Sequence, residues 1–180
     1  MPGIRRAKRL DSEALWNYAL RTLADRAHST ADLRTKLLQR AQSPSDVSAV
    51  MSKLCEYGLT DDKRFSESFA SSRLANQGLG RYRVLRDLRS KRVVSGVAEE
   101  AVAAVFAGTD ERQLAESFLL RKYRSKDLST FLAQEKNLAA AYRRLRTAGF
   151  SSSVTLSVLK QFSRRVEEWE ETDEPPDLNA

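Results

Sequence analysis

Apolar residues recur at helical spacing along most of this chain, and no stretch alternates strictly enough to predict a strand. Leu15, Trp16, Ala19, Leu20 and Leu23 form one stripe after Asp11, and Leu33, Leu37 and Leu38 form a second behind the cap candidates Ser29 and Thr30. Pro44 breaks that run, after which Ser45 or Asp46 can cap a third helix bearing Val47, Val50, Met51 and Leu54. Three short helices thus make one module. Tyr57-Gly58-Leu59-Thr60-Asp61-Asp62 is the clearest punctuation. Gly58 suits the left-handed residue that ends a helix, Leu59 can fold back on the last turn, and Thr60 or Asp61 can cap the next helix.

A second module opens with Phe65 and Phe69 on a helix running to Gln77, turns between Gly78 and Gly80, and continues with Val84, Leu85 and Leu88. Ser95 caps its third helix, which carries Val97, Ala101, Val102 and Val105. A third module starts at Asp110 with Leu114, Phe118 and Leu119, and has a longer connector from Ser125 to Gln134 before a helix with Ala141, Tyr142 and Leu145. Gly149 and Phe150 end that helix, and Ser151 to Ser153 cap a last one. Val154, Leu156, Leu159, Phe162, Val166 and Trp169 keep helical spacing, so this helix is predicted to run close to Thr172.

Nine helices result, and they repeat. Leu37, Leu88 and Leu145 align, bringing Leu33, Val84 and Ala141 together and placing Val47, Val97 and Val154 at the head of each following helix. The expectation is all-α: a curved row of three-helix modules with an extended surface, over residues 11–59, 60–108 and 109–171. A basic arm, 1–10, and an acidic tail, 172–180, flank them. Such a surface suits a long partner better than a small molecule.

Charge changes this picture more than bulk composition does. The chain is 41% apolar and 31% charged with few Gly and Pro, which fits a helical protein. Cys55 is the single cysteine, so the fold does not rest on an internal disulfide, and a reducing, cytoplasmic setting is expected. No run approaches the roughly 18 to 20 apolar residues of a membrane span, and the arm lacks the apolar centre of a signal peptide. The net charge of +7 conceals polarity, because residues 163–180 hold two arginines against seven acids. A basic body with an acidic end fits a phosphate-rich or acidic partner. The acidic end is either an ordinary frayed terminus or a competitor for the basic surface.

On a helical wheel, Val84, Leu85 and Leu88 point one way and Tyr82, Arg83, Arg86 and Arg89 the other. Lys136, Arg143 and Arg144 point outward from the corresponding helix of the third module, whose first helix ends in Arg121-Lys122-Tyr123-Arg124. In the first module Asp32 partly offsets Arg34, Lys36 and Arg40. Guanidinium groups pair well with phosphates or clustered carboxylates, and a solvated helix face accounts for the same polarity.

Catalytic chemistry finds few residues. One histidine and one cysteine assemble neither a zinc site nor a histidine-based triad, and Gly78-Leu79-Gly80 lacks the context of a phosphate-binding loop. His28 is expected near the C-terminal end of the first helix, where a cation is favourable. Asp61-Asp62 reads as a cap before it reads as a metal pair, since adjacent helical positions diverge. No catalytic, cofactor or metal residue is assigned.

The order and spacing of Tyr57-Gly58-Leu59-Thr60-Asp61-Asp62 running into Phe65, of Gly78 and Gly80 before Arg83-Val84 and Leu88, and of Gly149-Phe150 resemble the RecX family over roughly residues 12 to 162. This family regulates the RecA recombinase. Arg92-Val93-Val94 departs from it, standing where the family often has Lys-Gly-Ile, and the connector from Ser125 to Gln134 matches poorly.

The resemblance implies a non-enzymatic, cytoplasmic protein without cofactor, built as an elongated, curved right-handed array of three tandem three-helix repeats. It implies binding, as a monomer, along the RecA filament on DNA, limiting ATP hydrolysis, strand exchange and co-protease activity in recombination and the SOS response. Weak electrostatic contact with single- and double-stranded DNA belongs to the same expectation. The contact residues expected from exposure and charge are Arg73, Arg81, Arg83, Arg86, Arg89, Arg121, Lys122, Arg124, Arg143 and Arg144. A DNA binder acting without the recombinase and a helical protein-interaction scaffold are the alternatives. The first would hold naked DNA as tightly as the filament, and the second would tolerate neutralising the arginines.

Overall fold

A computed structural model describes residues 9–167 and is helical throughout. The basic arm up to Lys8 and the acidic tail lie outside the described residues, as does Trp169. Ten α-helices are present among those described: α1 (Ser12–Asp25), α2 (Thr30–Arg40), α3 (Pro44–Glu56), α4 (Asp62–Ser72), α5 (Arg81–Ser90), α6 (Ser95–Phe106), α7 (Glu111–Lys122), α8 (Leu128–Leu132), α9 (Glu135–Thr147) and α10 (Ser152–Lys160). The last turn after α4, Arg73–Gln77, is π-helical. The only β-type contact described is a bridge between Leu10 and Ala41.

Contacts group the chain into two compact units. One holds the residues up to Ser68 together with 88–101, and the other holds 69–87 with the residues from Val102 onward. In the first unit α1, α2 and α3 enclose Leu15, Ala19, Leu33, Leu37, Val47, Val50 and Leu54. Each fully buried leucine contributes about 2 kcal/mol by leaving water, so this small core is enough to hold three helices of 11 to 14 residues that are marginal alone. In the second unit α7 to α10 enclose Phe118, Leu119, Leu132, Leu138, Leu145, Phe150, Val158 and Leu159.

Local chemistry sets most helix starts. Asp11, Ser29, Asp110, Asp127 and Ser151 cap α1, α2, α7, α8 and α10 through side-chain oxygens that accept backbone N–H bonds. Asp61 does the same for α4, accepting from Arg64 N–H at 3.0 Å. Hydrogen bonds from the Thr130 side chain and backbone hold the Asp127 carboxyl below its ordinary pKa. Ser43, rather than Ser45 or Asp46, caps α3, and Pro44 is its first helical residue. Proline therefore opens this helix as well as ending the previous run, because its fixed φ fits the first turn and its missing N–H is not needed there.

Three expectations are corrected. Helix α10 ends at Lys160 instead of continuing unbroken: Gln161 N–H turns back to Val158 O at 3.3 Å and Phe162 N–H to Leu159 O at 3.0 Å, tightening the chain into a turn before it becomes helical again at 165–167, and Thr172 lies outside the described residues. Val166 is still fully buried beyond that turn, so the apolar spacing continues across a break it does not mark. The connector from Ser125 to Gln134 contains α8, which buries Leu128 and Leu132. His28 lies three residues past α1, only 8% exposed, and is no helix-end cation. Burial lowers its pKa, reinforced by Lys36 and Arg26 and opposed by Asp32. Arg26 Nε–H donates towards its Nε2 at 3.4 Å, which fits a neutral ring.

Candidate polyanion-binding cleft

Two glycines bring distant parts of the second unit into contact. Gly149 ends α9 with φ +96°, and Phe150 N–H returns to Leu145 O at 3.2 Å in the manner of a helix C-cap. Gly80 lies so close to Gly149 that a Cβ on it would overlap the Gly149 carbonyl, and one on Gly149 would overlap the Arg83 backbone. Gly80 N–H donates to Ala148 O at 2.9 Å and Tyr82 N–H to Gly149 O at 3.2 Å. The start of α5 is thereby tied to the end of α9. The Arg83 and Arg86 guanidinium groups reach the same place, donating to Thr147 O at 3.5 and 3.2 Å, where the exposed carbonyls of a helix end favour cations.

Beside this junction is a cleft of about 760 Å³ lined by Asn76, Gln77, Leu79, Arg83, Phe118, Arg121, Lys122, Ala140, Arg143, Arg144, Thr147 and Ala148. Five lining residues are cationic and none is acidic. The π-turn supplies one wall, and Arg121 donates to the Gln77 carbonyl across it. Buried Phe118 lies beneath, with Arg121 and Lys122 each 5.6 Å from its ring centre. The guanidinium of Arg144, an exposed residue, lies over the Tyr123 ring at 5.4 Å, which positions the charged group on an aromatic face. Cations converging on a low-dielectric floor focus positive potential, and a guanidinium bonded to one carbonyl keeps further N–H groups for a ligand.

The ten residues expected to contact a partner divide by surroundings. Arg83, Arg121, Lys122, Arg143 and Arg144 meet in the cleft. Arg73 and Arg83 both face Asp87, at 3.6 and 2.9 Å, and Arg81 pairs with Glu111. Arg81 also lies 5.9 Å from the Phe106 ring centre. Arg86 stays outward beside Thr147, and Arg124 is exposed after α7. Arg89 belongs to the first unit, where it pairs with Glu99 at 3.3 Å. The outward face of α5 is thus less purely cationic than the wheel implies. Asp87, four residues after Arg83, could have been found from the i,i+4 rule. Asn76 and Gln77 carry no comparable signal, because a π-turn is invisible to a 3.6-residue period.

Asp61 and Asp62 are both helix caps: Asp62 accepts from Thr30 N–H at the start of α2, at 2.8 Å. Among the described residues no group of three or more His, Cys, Asp or Glu could hold a metal ion, and no helix is long and apolar enough to cross a membrane.

Comparisons with known proteins add a second line of observation. Profiles described as the first and second three-helix domains of RecX match residues 16–54 and 61–102. A protein called regulatory protein RecX from a Mycobacterium species is 33% identical over 146 residues, covering 79% of this chain and 78% of that one. Proteins of the same name from Halorhodospira halophila and Mycolicibacterium smegmatis are 41% and 39% identical, over 51% and 67% of this chain. The matches span 56% and 63% of those two relatives, less than two thirds of their length. In fold, the crystal structure of RecX from Lactobacillus salivarius superposes with a TM-score of 0.67 at 18% identity, covering 84% of this chain and 96% of that one.

Proposed function

The chain belongs to the RecX family, and on that premise we propose that it binds the RecA–DNA filament and restrains RecA's ATP hydrolysis, strand exchange and co-protease activity. The observation that carries this reading is the acid-free lining of the cleft, where Arg83, Arg121, Lys122, Arg143 and Arg144 converge. A nucleoprotein filament offers phosphodiester backbone and acidic protein surface together, and guanidinium groups grip either with paired hydrogen bonds. Lys122, Arg143 and Arg144 are the principal contacts. Arg86 and Arg121 add the donors that their carbonyl partners leave over, whereas Arg73, Arg81, Arg83 and Arg89 are already opposed by carboxylates, Arg83 keeping only part of its guanidinium for a ligand.

The protein works in this reading as a cytoplasmic monomer and by occupancy, without catalysis or cofactor. Its contact with bare single- or double-stranded DNA is weak and falls with salt, since phosphates supply most of it. Adding the purified chain to RecA assembled on single-stranded DNA and following ATP hydrolysis tests the proposal: the rate falls as the chain is titrated in. An unchanged rate at micromolar excess would contradict it. Affinity for naked DNA equal to that for the filament would instead favour a DNA binder that needs no recombinase.

A further inference from the structure

The cleft has five cations and no carboxylate in its lining, while residues 168–180 carry Glu168, Glu170, Glu171, Asp173, Glu174 and Asp177 without one Lys or Arg. The path between the two is short. The Gln161 side chain lies against the Arg112 guanidinium near the start of α7, and Arg165 pairs with Glu135 at 3.9 Å at the start of α9. The chain therefore leaves the described residues beside the first turns of the two helices whose last turns bear the cleft. Arg121 is nine residues beyond Arg112, and Arg144 nine beyond Glu135, which at helical rise is about 14 Å along each axis. The seven residues from Glu168 to Glu174 reach about 23 Å when extended, so Asp173 and Glu174 can span that distance and Asp177 does so with chain to spare.

We propose that the acidic segment 168–180 is an intramolecular ligand of this cleft, its carboxylates lying against Lys122, Arg143 and Arg144 and competing there with an incoming polyanion. The idea rests on the reading of the cleft as a polyanion site and adds its regulation. Tethering places the carboxylates at an effective concentration on the order of millimolar, so contacts too weak to hold a free peptide suffice. The competition is electrostatic and is strongest at low salt.

The test uses the full chain. A variant with the six acids of 168–180 changed to Gln or Asn is compared with the parent for binding a labelled oligothymidylate. The neutralised chain should bind about five- to ten-fold tighter at about 50 mM salt, with the difference gone near 500 mM. In a Lys122→Ala, Arg143→Ala background the gain should vanish. A gain of equal size there would assign the effect to net charge alone and overturn the proposal. Independently of any nucleic acid, carbodiimide should couple Lys122 to a carboxylate of 168–180 in the parent, as read by mass spectrometry. Equal affinities without that cross-link would also overturn it. If neither chain binds the oligonucleotide, the reading of the cleft as a nucleic-acid contact falls, and the cross-link alone decides whether the segment docks.

Discussion

Arg92 is the one described residue other than glycine in the left-handed region, at φ 59°, and it ends α5 with Val93 N–H returning to Leu88 O at 3.3 Å. A side chain costs about 1 kcal/mol there, which glycine avoids. The Arg92 guanidinium donates to the Thr35 hydroxyl at an exposed site, a contact of small net value. Arg92→Gly is therefore expected to stabilise the fold by about 0.5 kcal/mol, read as a higher denaturation midpoint; a lower one would show that the Thr35 contact outweighs the backbone strain. His28 gives the second residue-scale prediction. Its pKa is lowered in the fold by burial and by Lys36, Arg26 and Lys91, against Asp32. The unfolded chain thus binds the proton more readily, and stability present above about pH 6.5 is lost as the pH falls towards the folded value. Melting temperature should drop between neutral and mildly acid pH, and His28→Gln should flatten that part of the profile. An identical profile in the variant would remove His28 as the cause.

At the scale of elements, the cleft depends on the Gly80–Gly149 contact that ties α5 to α9. Gly149→Ala meets both a positive φ and the Arg83 backbone, so a loss of about 3 kcal/mol is expected in urea unfolding. Gly80→Ala, which meets the Gly149 and Phe150 backbone but no positive φ, should cost less and weaken polyanion binding in the fraction that stays folded. Unchanged stability in both would mean the helices separate without penalty. This contact also marks the limit of what the sequence discloses. Spacing shows that Val84 and Leu88 are buried on α5, and Leu145 on α9, because a helix fixes which side chains share a face. It does not show which faces meet, since Gly80 and Gly149 are far apart in the chain and each alone reads as a turn. Short elements escape for a related reason. The five residues of α8 give one turn of periodicity, too little to distinguish from a loop, and its signal is the Asp127 cap. The stop after Lys160 has no glycine or proline to announce it.

For the whole molecule, two of the aligned leucines, Leu37 and Leu88, fall within the residues that match the family's first and second three-helix domains, while the compact units divide the second of those domains. The three leucines are all fully buried, which is what equivalent positions require. Charge distributes unequally over this framework: the cations of α7 and α9 converge in one cleft, and Arg89 sits with Glu99 in the other unit. Net charge gives no hint of that convergence, whereas the basic ends of α7 and α9 do. Neutralising two cleft cations should lower the salt slope of DNA binding by about 2, measured by titration over a range of salt; an unchanged slope would place the phosphates elsewhere.

The most direct test of the account compares charge reversals of equal size in the two units. Lys122→Glu with Arg143→Glu alters the cleft, and Arg21→Glu with Arg34→Glu alters exposed positions of α1 and α2. Each folded variant is titrated into RecA hydrolysing ATP on single-stranded DNA. The cleft reversal is predicted to require at least about ten-fold more protein for half-inhibition, in line with the loss of two charge-assisted contacts, and the control reversal to resemble the parent. Equal inhibition by the cleft variant and the parent would contradict the central claim.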